Sequence, residues 1–127
     1  MKLSPNEIAY VANLFFADRE DAKIMVAIAL AESGGDTNVM GRSPDTSLPT
    51  NRGNWDHGLW QISNRWHGEK LATMGNWRDP YVNGQMAARA YFERGFEAWS
   101  VYTSKSYEKF LFDAGIAMQF PVAPSLV

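Results

Sequence analysis

A single carboxyl group ends a helix that is otherwise almost wholly apolar. Residues 22–31 read AKIMVAIALA, and only Lys23 among them is polar. Met25, Ile28 and Glu32 recur at helical spacing, so the Glu32 carboxyl should continue an apolar stripe. Poor solvation raises the pKa of a carboxyl, and the negative end of the helix dipole acts in the same direction. Glu32 is therefore a candidate general acid, the alternative being a helix-end carboxyl that simply reaches solvent.

A second carboxyl group, Asp56, lies downstream in the run WDHGLWQISNRWH that begins at Trp55. Aromatic and branched residues around Gly58 are typical of a short strand or hairpin. Polar neighbours can hydrogen-bond an ionised carboxylate, so we expect the pKa of Asp56 to stay low. One protonated and one ionised carboxyl are the pair that cleaves a glycosidic bond. The acid protonates the leaving oxygen, and the carboxylate stabilises or attacks the oxocarbenium centre.

In this order, the two motifs resemble the active-site motifs of the lysozyme-like superfamily, whose carboxyl pairs show the same division of pKa values. The sequence DxGLxQI at Asp56 is similar to the active-site hairpin of animal (C-type) lysozymes, and ESG at Glu32 also matches soluble lytic transglycosylases. The likeness covers roughly Lys23 to Tyr107. It implies an α+β, predominantly α-helical domain with a small β-hairpin lobe flanking the cleft. It also implies Glu32 as general acid and Asp56 as nucleophile or electrostatic stabiliser.

The chain departs from both relatives at specific positions. Animal lysozymes are disulfide-bonded, and this chain has no cysteine. Gln-Ile is followed by Ser63 and Asn64, where animal lysozymes have asparagine directly. Val-Tyr-Thr, centred on Tyr102, stands where transglycosylases show Ala-Tyr-Asn. These differences leave the subfamily open.

Several polar and aromatic residues near the two motifs are candidates to bind a glycan. Gln61 matches the motif and its amide both donates and accepts hydrogen bonds, although it could instead be an outward-facing strand residue. Indole rings stack on sugars, but tryptophan is also highly buried on average. We expect Trp77 and Trp99 in the core and leave Trp55 and Trp60 open between core and cleft. The candidates for substrate contact are Trp60, Gln61, Ser63, Asn64 and Tyr102.

Length and composition limit the possible functions. A chain of 127 residues with net charge −2 predicts one domain, residues 1–127. The absence of cysteine excludes a disulfide framework and a thiolate metal site, and two histidines make a zinc site improbable, so we expect neither metal nor cofactor. No Lys/Arg cluster indicates a nucleic-acid partner.

The sequence also bears on where such an enzyme would act. No apolar run is long enough to span a bilayer, and the start MKLSPNE has no apolar segment of a signal peptide. Wall polymers are often anionic, yet the chain lacks a basic face. A wall-acting chain with these features suggests a phage product that is carried in a virion or released through membrane lesions, with other virion or tail proteins as possible partners.

Helix signals place the two carboxyls in a helical frame. A capping box at Ser4 begins a helix of about Pro5 to Ala17, and Asp18 begins the helix that carries Glu32. Residues 34–54 lack periodicity and should contribute little regular structure to the lobe. The apolar tail, residues 116–127, should pack on the core, the alternative being a docking segment. Two further helices are predicted, one from Asp79-Pro80 to about Arg94 and one ending at Gly115.

The sequence therefore predicts a muramidase that hydrolyses the β-1,4 bond between N-acetylmuramic acid and N-acetylglucosamine in peptidoglycan. One alternative is a lytic transglycosylase, in which Glu32 alone acts as acid and then base and the product is a 1,6-anhydro sugar. Another is a wall-binding virion component without catalytic activity. The paired carboxyls favour the hydrolase.

Overall fold

A computed structural model describes residues 1–42 and 55–125 of the chain. Helices dominate, and three short strands form one small sheet. The α-helices are α1 Pro5–Phe15, α2 Arg19–Ser33, α3 Asn64–Thr73, α4 Pro80–Arg94, α5 Ser100–Thr103 and α6 Leu111–Ala117. Two 3₁₀ helices span Gly95–Ala98 and Ser106–Phe110, and the strands are β1 Met40–Arg42, β2 Trp55–His57 and β3 Ile62–Ser63. The predominantly helical α+β expectation is confirmed.

Local capping explains where the first two helices begin and end. Ser4 and Glu7 form the predicted capping box, with the Glu7 amide donating to Ser4 Oγ at 3.2 Å. Helix α1 ends at Phe15, earlier than expected, because the backbone at Phe16 is already extended. Asp18 caps α2, which ends where Gly34 adopts a left-handed conformation with φ of 63°.

Helix α2 lies at the centre of the apolar core. Its residues 25–29 are fully buried, as the apolar run predicts. They pack with buried residues of α1, among them Val11 and Ala12, and of α4, among them Met86 and Ala90. The last turn of α2 leaves this core at the edge of the sheet and carries Glu32 with it.

The sheet has the order β1-β2-β3, and both pairs are antiparallel. Asp56 on β2 pairs with Ser63 on β3 and with Gly41 on β1, so the predicted hairpin is present. Strand β1 adds regular structure to a segment expected to have little of it, and residues 43–54 of that segment lie outside the described residues.

Two boundaries differ from the sequence predictions. The strand-like run that begins at Trp55 stops at Ser63, because the Ser63 hydroxyl accepts a hydrogen bond from the Arg65 amide and caps α3. Gly115 lies inside α6 instead of ending it, and the helix continues to Ala117. The Ser63 cap shows that a short polar side chain can start a helix directly after a strand.

A buried amide holds the turn between β2 and β3. Asn83 on α4 is 0% exposed. Its Oδ1 accepts the Trp60 amide at 2.8 Å, and its Nδ2 donates to the carbonyl oxygens of His57 and Trp77 at 3.0 and 3.2 Å. Gly58 must be glycine here, because its φ is 78° and an added Cβ would lie 2.5 Å from Asn83 Nδ2.

The chain after α6 is tied to the start of α1. The Val122 amide donates to the Asn6 carbonyl at 3.0 Å, and Asn6 Nδ2 donates to the Phe120 carbonyl at 2.9 Å. Met118 and Pro124 are buried, whereas Phe120 and Val122 remain exposed. The expected packing of the tail is therefore only partial. No helix in the described part of the chain has the length and apolar character needed to cross a membrane.

Replacing Asn83 by leucine should destabilise the fold, because the branched shape is kept while three backbone groups, two of them buried, lose their hydrogen-bond partner. We expect the free energy of unfolding to fall by roughly 2–4 kcal/mol, given about 1–3 kcal/mol for a buried polar group left unsatisfied. Chemical denaturation would measure the change. Asn13→Leu, at an exposed position of α1, is the matched control and should stay within about 0.5 kcal/mol of the wild type. Equal stabilities of the two variants would contradict the role of Asn83.

Candidate active site

Glu32 and Asp56 line one cleft of about 200 Å³. Four parts of the chain contribute to this cleft: the end of α2, the β2–β3 hairpin, the start of α3 and the chain from Arg94 to Ser100. The lining residues are Glu32, Asp56, Gln61, Ile62, Ser63, Trp66, His67, Arg94, Glu97, Ala98, Trp99 and Ser100.

Glu32 occupies the last turn of α2, where the helix meets the hairpin. The hydroxyl of Ser33 lies 2.8 Å from the Leu59 carbonyl and 3.1 Å from the Ala29 carbonyl, so this helix end is bound to the hairpin turn. Burial raises the pKa of Glu32 to about 8, and the negative charge of Asp56 adds to the rise. The raised pKa agrees with the sequence expectation, and the charge of Asp56 is a further cause that the sequence analysis did not name.

Asp56 lies on β2 and is partly buried at the same cleft. Burial raises its pKa to about 6, and the hydrogen bond from Ser63 lowers it by less than burial raises it. The expected low pKa of Asp56 is therefore wrong, because the cost of desolvation exceeds the gain from its polar neighbour. The order of the two acids is still as expected, since Asp56 ionises before Glu32.

Trp60 does not contact the cleft. Its side chain is 0% exposed, and its indole Nε1 donates to the Met25 carbonyl inside the core at 2.8 Å. The prediction that Trp60 binds a sugar is wrong, because a fully buried ring has no free face for stacking. Trp99 is buried as expected, donates to the Trp60 carbonyl at 2.9 Å and also lines the cleft.

Two of the remaining candidates lie at the cleft. Gln61 is buried with a φ of 49°, and its Nε2 donates to the carbonyls of Val39 and Gly58 at 3.0 and 2.9 Å. These bonds use its donors to hold the turn, while its side chain still lines the cleft. Ser63 also lines the cleft and hydrogen-bonds Asp56. Substrate contact by these two residues stays a prediction.

Asn64 and Tyr102 are not among the residues that line the cleft. Asn64 Oδ1 accepts the Trp55 amide at 3.0 Å, which fixes the start of the hairpin. The ring of Tyr102 stacks between Phe96 and Tyr107, with centroid distances of 5.0 and 4.9 Å. The structure therefore gives both residues roles in supporting the site, and does not place them where the sequence analysis expected substrate contact.

Several cleft residues were not selected from the sequence. Trp66 is 56% exposed and presents an indole ring at the cleft, and Arg94 and Glu97 also line the cleft. Trp66 stands in the quoted motif, so its position there was an available signal. Arg94 and Glu97 carry no local pattern, because only the packing of α4 against α3 brings them to Trp66.

His67, one of the two histidines, has unusual surroundings. It is 5% exposed, lines the cleft, and its buried Nδ1 has no hydrogen-bond partner among the residues that the structure describes. Burial lowers its pKa to about 4, with the positive charges of Lys70 and Arg94 acting in the same direction. His67 is therefore uncharged at neutral pH. Within residues 1–42 and 55–125, no group of three or more acidic or histidine side chains is placed to hold a metal ion.

Comparison with known proteins gives one match. A family model described as a lysozyme-like domain matches residues 9–101, which include both cleft carboxyls. No curated protein and no solved structure matches the chain significantly. The match covers more than half of the chain and agrees with the helical α+β fold and the acid-lined cleft. The chain belongs to the lysozyme-like domain family.

Proposed function

We propose that this protein is a muramidase, which hydrolyses the β-1,4 bond between N-acetylmuramic acid and N-acetylglucosamine. Family membership indicates an enzyme of the glycosidase or transglycosylase type that acts on peptidoglycan. The observation that carries the finer proposal is the pair of carboxyls at one cleft, with pKa values of about 8 for Glu32 and about 6 for Asp56. Near neutral pH one is protonated and the other is ionised.

In the proposed reaction Glu32 gives its proton to the glycosidic oxygen as the bond to the anomeric carbon breaks. The Asp56 carboxylate stabilises the positive charge that develops on the sugar, or bonds to its anomeric carbon. A water molecule then attacks that carbon, and its proton returns to Glu32. Positive charge beside Asp56 offsets the negative charge that raises the pKa of Glu32. Glu32 therefore becomes a stronger acid as the bond breaks.

A lytic transglycosylase is the second candidate, and the raised pKa of Asp56 favours it. A carboxyl with a pKa of about 6 is incompletely ionised near that pH, which weakens it as a nucleophile. In that reaction Glu32 acts alone as acid and then base, and an oxygen of the sugar closes the 1,6-anhydro ring. A wall-binding role without catalysis, and contact with virion or tail proteins, stay predictions from the sequence.

Glu32→Gln should reduce cleavage of purified cell walls by about 10²–10⁴-fold, the usual contribution of general acid–base catalysis. The substitution is nearly isosteric and removes the transferable proton. Turbidity clearing and release of soluble fragments would measure it. Glu108→Gln, at an exposed position away from the cleft, is the control and should clear walls at the wild-type rate. Wild-type clearing by Glu32→Gln would refute the assignment.

The thermal stability of Glu32→Gln would show that lost activity is not lost folding. The folded-state pKa of about 8 lies above the ordinary 4.5, so ionisation of Glu32 costs stability as pH rises through this range. The cost is on the order of 1.4 kcal/mol for each pKa unit. Glu32→Gln should therefore melt above the wild type at pH 9, and close to it at pH 4.

The pH dependence of wall cleavage should be bell-shaped, with its maximum between about 6 and about 8. Below this window Asp56 takes up a proton, and above it Glu32 loses one, so activity falls on both sides. The apparent values belong to the interacting pair. Initial rates across pH 4 to 10 at constant ionic strength would test this. A rate still rising above pH 9 would show that proton donation by Glu32 does not limit the reaction.

Asp56→Asn should lower the cleavage rate by orders of magnitude if Asp56 is the nucleophile or charge stabiliser. Removing its charge should also lower the pKa of Glu32, so the alkaline limb of any residual activity should move to lower pH. Mass spectrometry of wall digests would identify the products. Reducing ends from the wild type support hydrolysis. Anhydro ends together with near-normal activity of Asp56→Asn would move the enzyme to the transglycosylases.

A further inference from the structure

One wall of the cleft carries a cation that no described carboxylate neutralises. Arg94 is the only lysine or arginine among the described residues that line the cleft. It forms no ion pair within residues 1–42 and 55–125. Its neighbour in sequence, Glu93, pairs with Lys70 at 2.9 Å. The guanidinium of Arg94 is therefore available to a ligand.

Aromatic stacking places this guanidinium beside the cleft. Its central carbon lies 5.1 Å from the centroid of the Trp66 ring, within the range of a cation–π interaction. A guanidinium held against a ring keeps its N–H groups free at the edges, where they match the two oxygens of a carboxylate. Trp66 thus favours an orientation of Arg94 that suits an anion.

A second polar group at the cleft lacks a hydrogen-bond partner in the described part of the chain. His67 is 5% exposed, and its Nδ1 has no hydrogen bond within the described residues. Buried polar atoms without partners are rare in native proteins, and a bound molecule is one way to satisfy them. Arg94 and His67 therefore both bring a group without a partner among the described residues to the cleft that holds the two acids.

The charges of the substrate explain what such a wall would bind. In peptidoglycan the sugars are uncharged where the lactyl group is joined to the peptide stem, and the stem carries the carboxylates. The carboxylates of Asp56 and Glu97 make the rest of the cleft unfavourable for an anion. We propose that Arg94, beside Trp66 and His67, forms a subsite for a carboxylate of the peptide stem. This inference rests on the proposed function for the nature of the glycan strand.

Binding can be measured without cleavage in the Glu32→Gln background. The probes are two synthetic tetrasaccharides of alternating N-acetylglucosamine and N-acetylmuramic acid with alanyl-glutamate stems. One has free stem carboxylates, and in the other the carboxylates are converted to amides. Calorimetry gives the Kd of each. Arg94→Gln should raise the Kd of the carboxylate ligand about tenfold and leave that of the amidated ligand unchanged. With Arg94→Lys, the Kd of the carboxylate ligand should lie between the values for the wild-type residue and for Arg94→Gln, because lysine keeps the charge and loses the paired donors.

Arg89→Gln is the matched control, because Arg89 is exposed on the same helix and does not line the cleft. It should leave both Kd values unchanged. Three outcomes would overturn the subsite. They are an equal rise in the Kd of both ligands with Arg94→Gln, no change in either Kd, and no binding of the carboxylate ligand to the protein. Failure of the wild-type chain to cleave walls would refute the proposed function alone, because these affinities do not depend on turnover.

Discussion

The arrangement of the cleft depends on how the β2–β3 turn is fixed to the helices. Trp60 donates to the Met25 carbonyl of α2 at 2.8 Å, and the Ser33 hydroxyl lies 2.8 Å from the Leu59 carbonyl. Asn83 binds the same turn from α4. Glu32 stands at the end of α2 and Asp56 on the strand that leads into the turn. These bonds therefore set the position of one carboxyl relative to the other.

The short separation of Glu32 and Asp56 also determines the electrostatic properties of the site. Both carboxyls are partly removed from water, and burial is the largest cause of the rise in both pKa values. The negative charge of Asp56 raises the pKa of Glu32 further, and the two values are about 8 for Glu32 and about 6 for Asp56. A protein gains no stability from ionised carboxyls in such a place. The pair of partly buried carboxyls therefore lowers the stability of the fold, and proton transfer during catalysis would explain why the pair is present.

Local sequence signals predicted the helical frame well. Each helix boundary is set by a short motif: the capping box at Ser4, the cap at Asp18 and the left-handed Gly34. Each motif acts over three or four residues, so the local sequence is enough to predict the boundary. The burial of residues 25–29 followed from their apolar run. The pKa of Asp56 and the burial of Trp60 did not follow, because both depend on elements distant in sequence. Trp60 is held by α2 and α4, and Asp56 shares its cleft with the chain from Arg94 to Ser100. No local pattern around Asp56 records how much water those elements exclude.

Tyr102 shows that a residue can match a family motif in sequence without having the role that the motif implies. Its ring belongs to a series of aromatic contacts, Tyr91 to Phe96 at 4.8 Å, Phe96 to Tyr102 at 5.0 Å and Tyr102 to Tyr107 at 4.9 Å. The series begins where Tyr91 donates to Asp21 on α2 at 3.1 Å. It therefore ties the segment that carries Trp99 and Ser100 to the helix that carries Glu32. A tyrosine at this position therefore contributes to the cleft by supporting the segment that lines it, and its ring does not itself line the cleft.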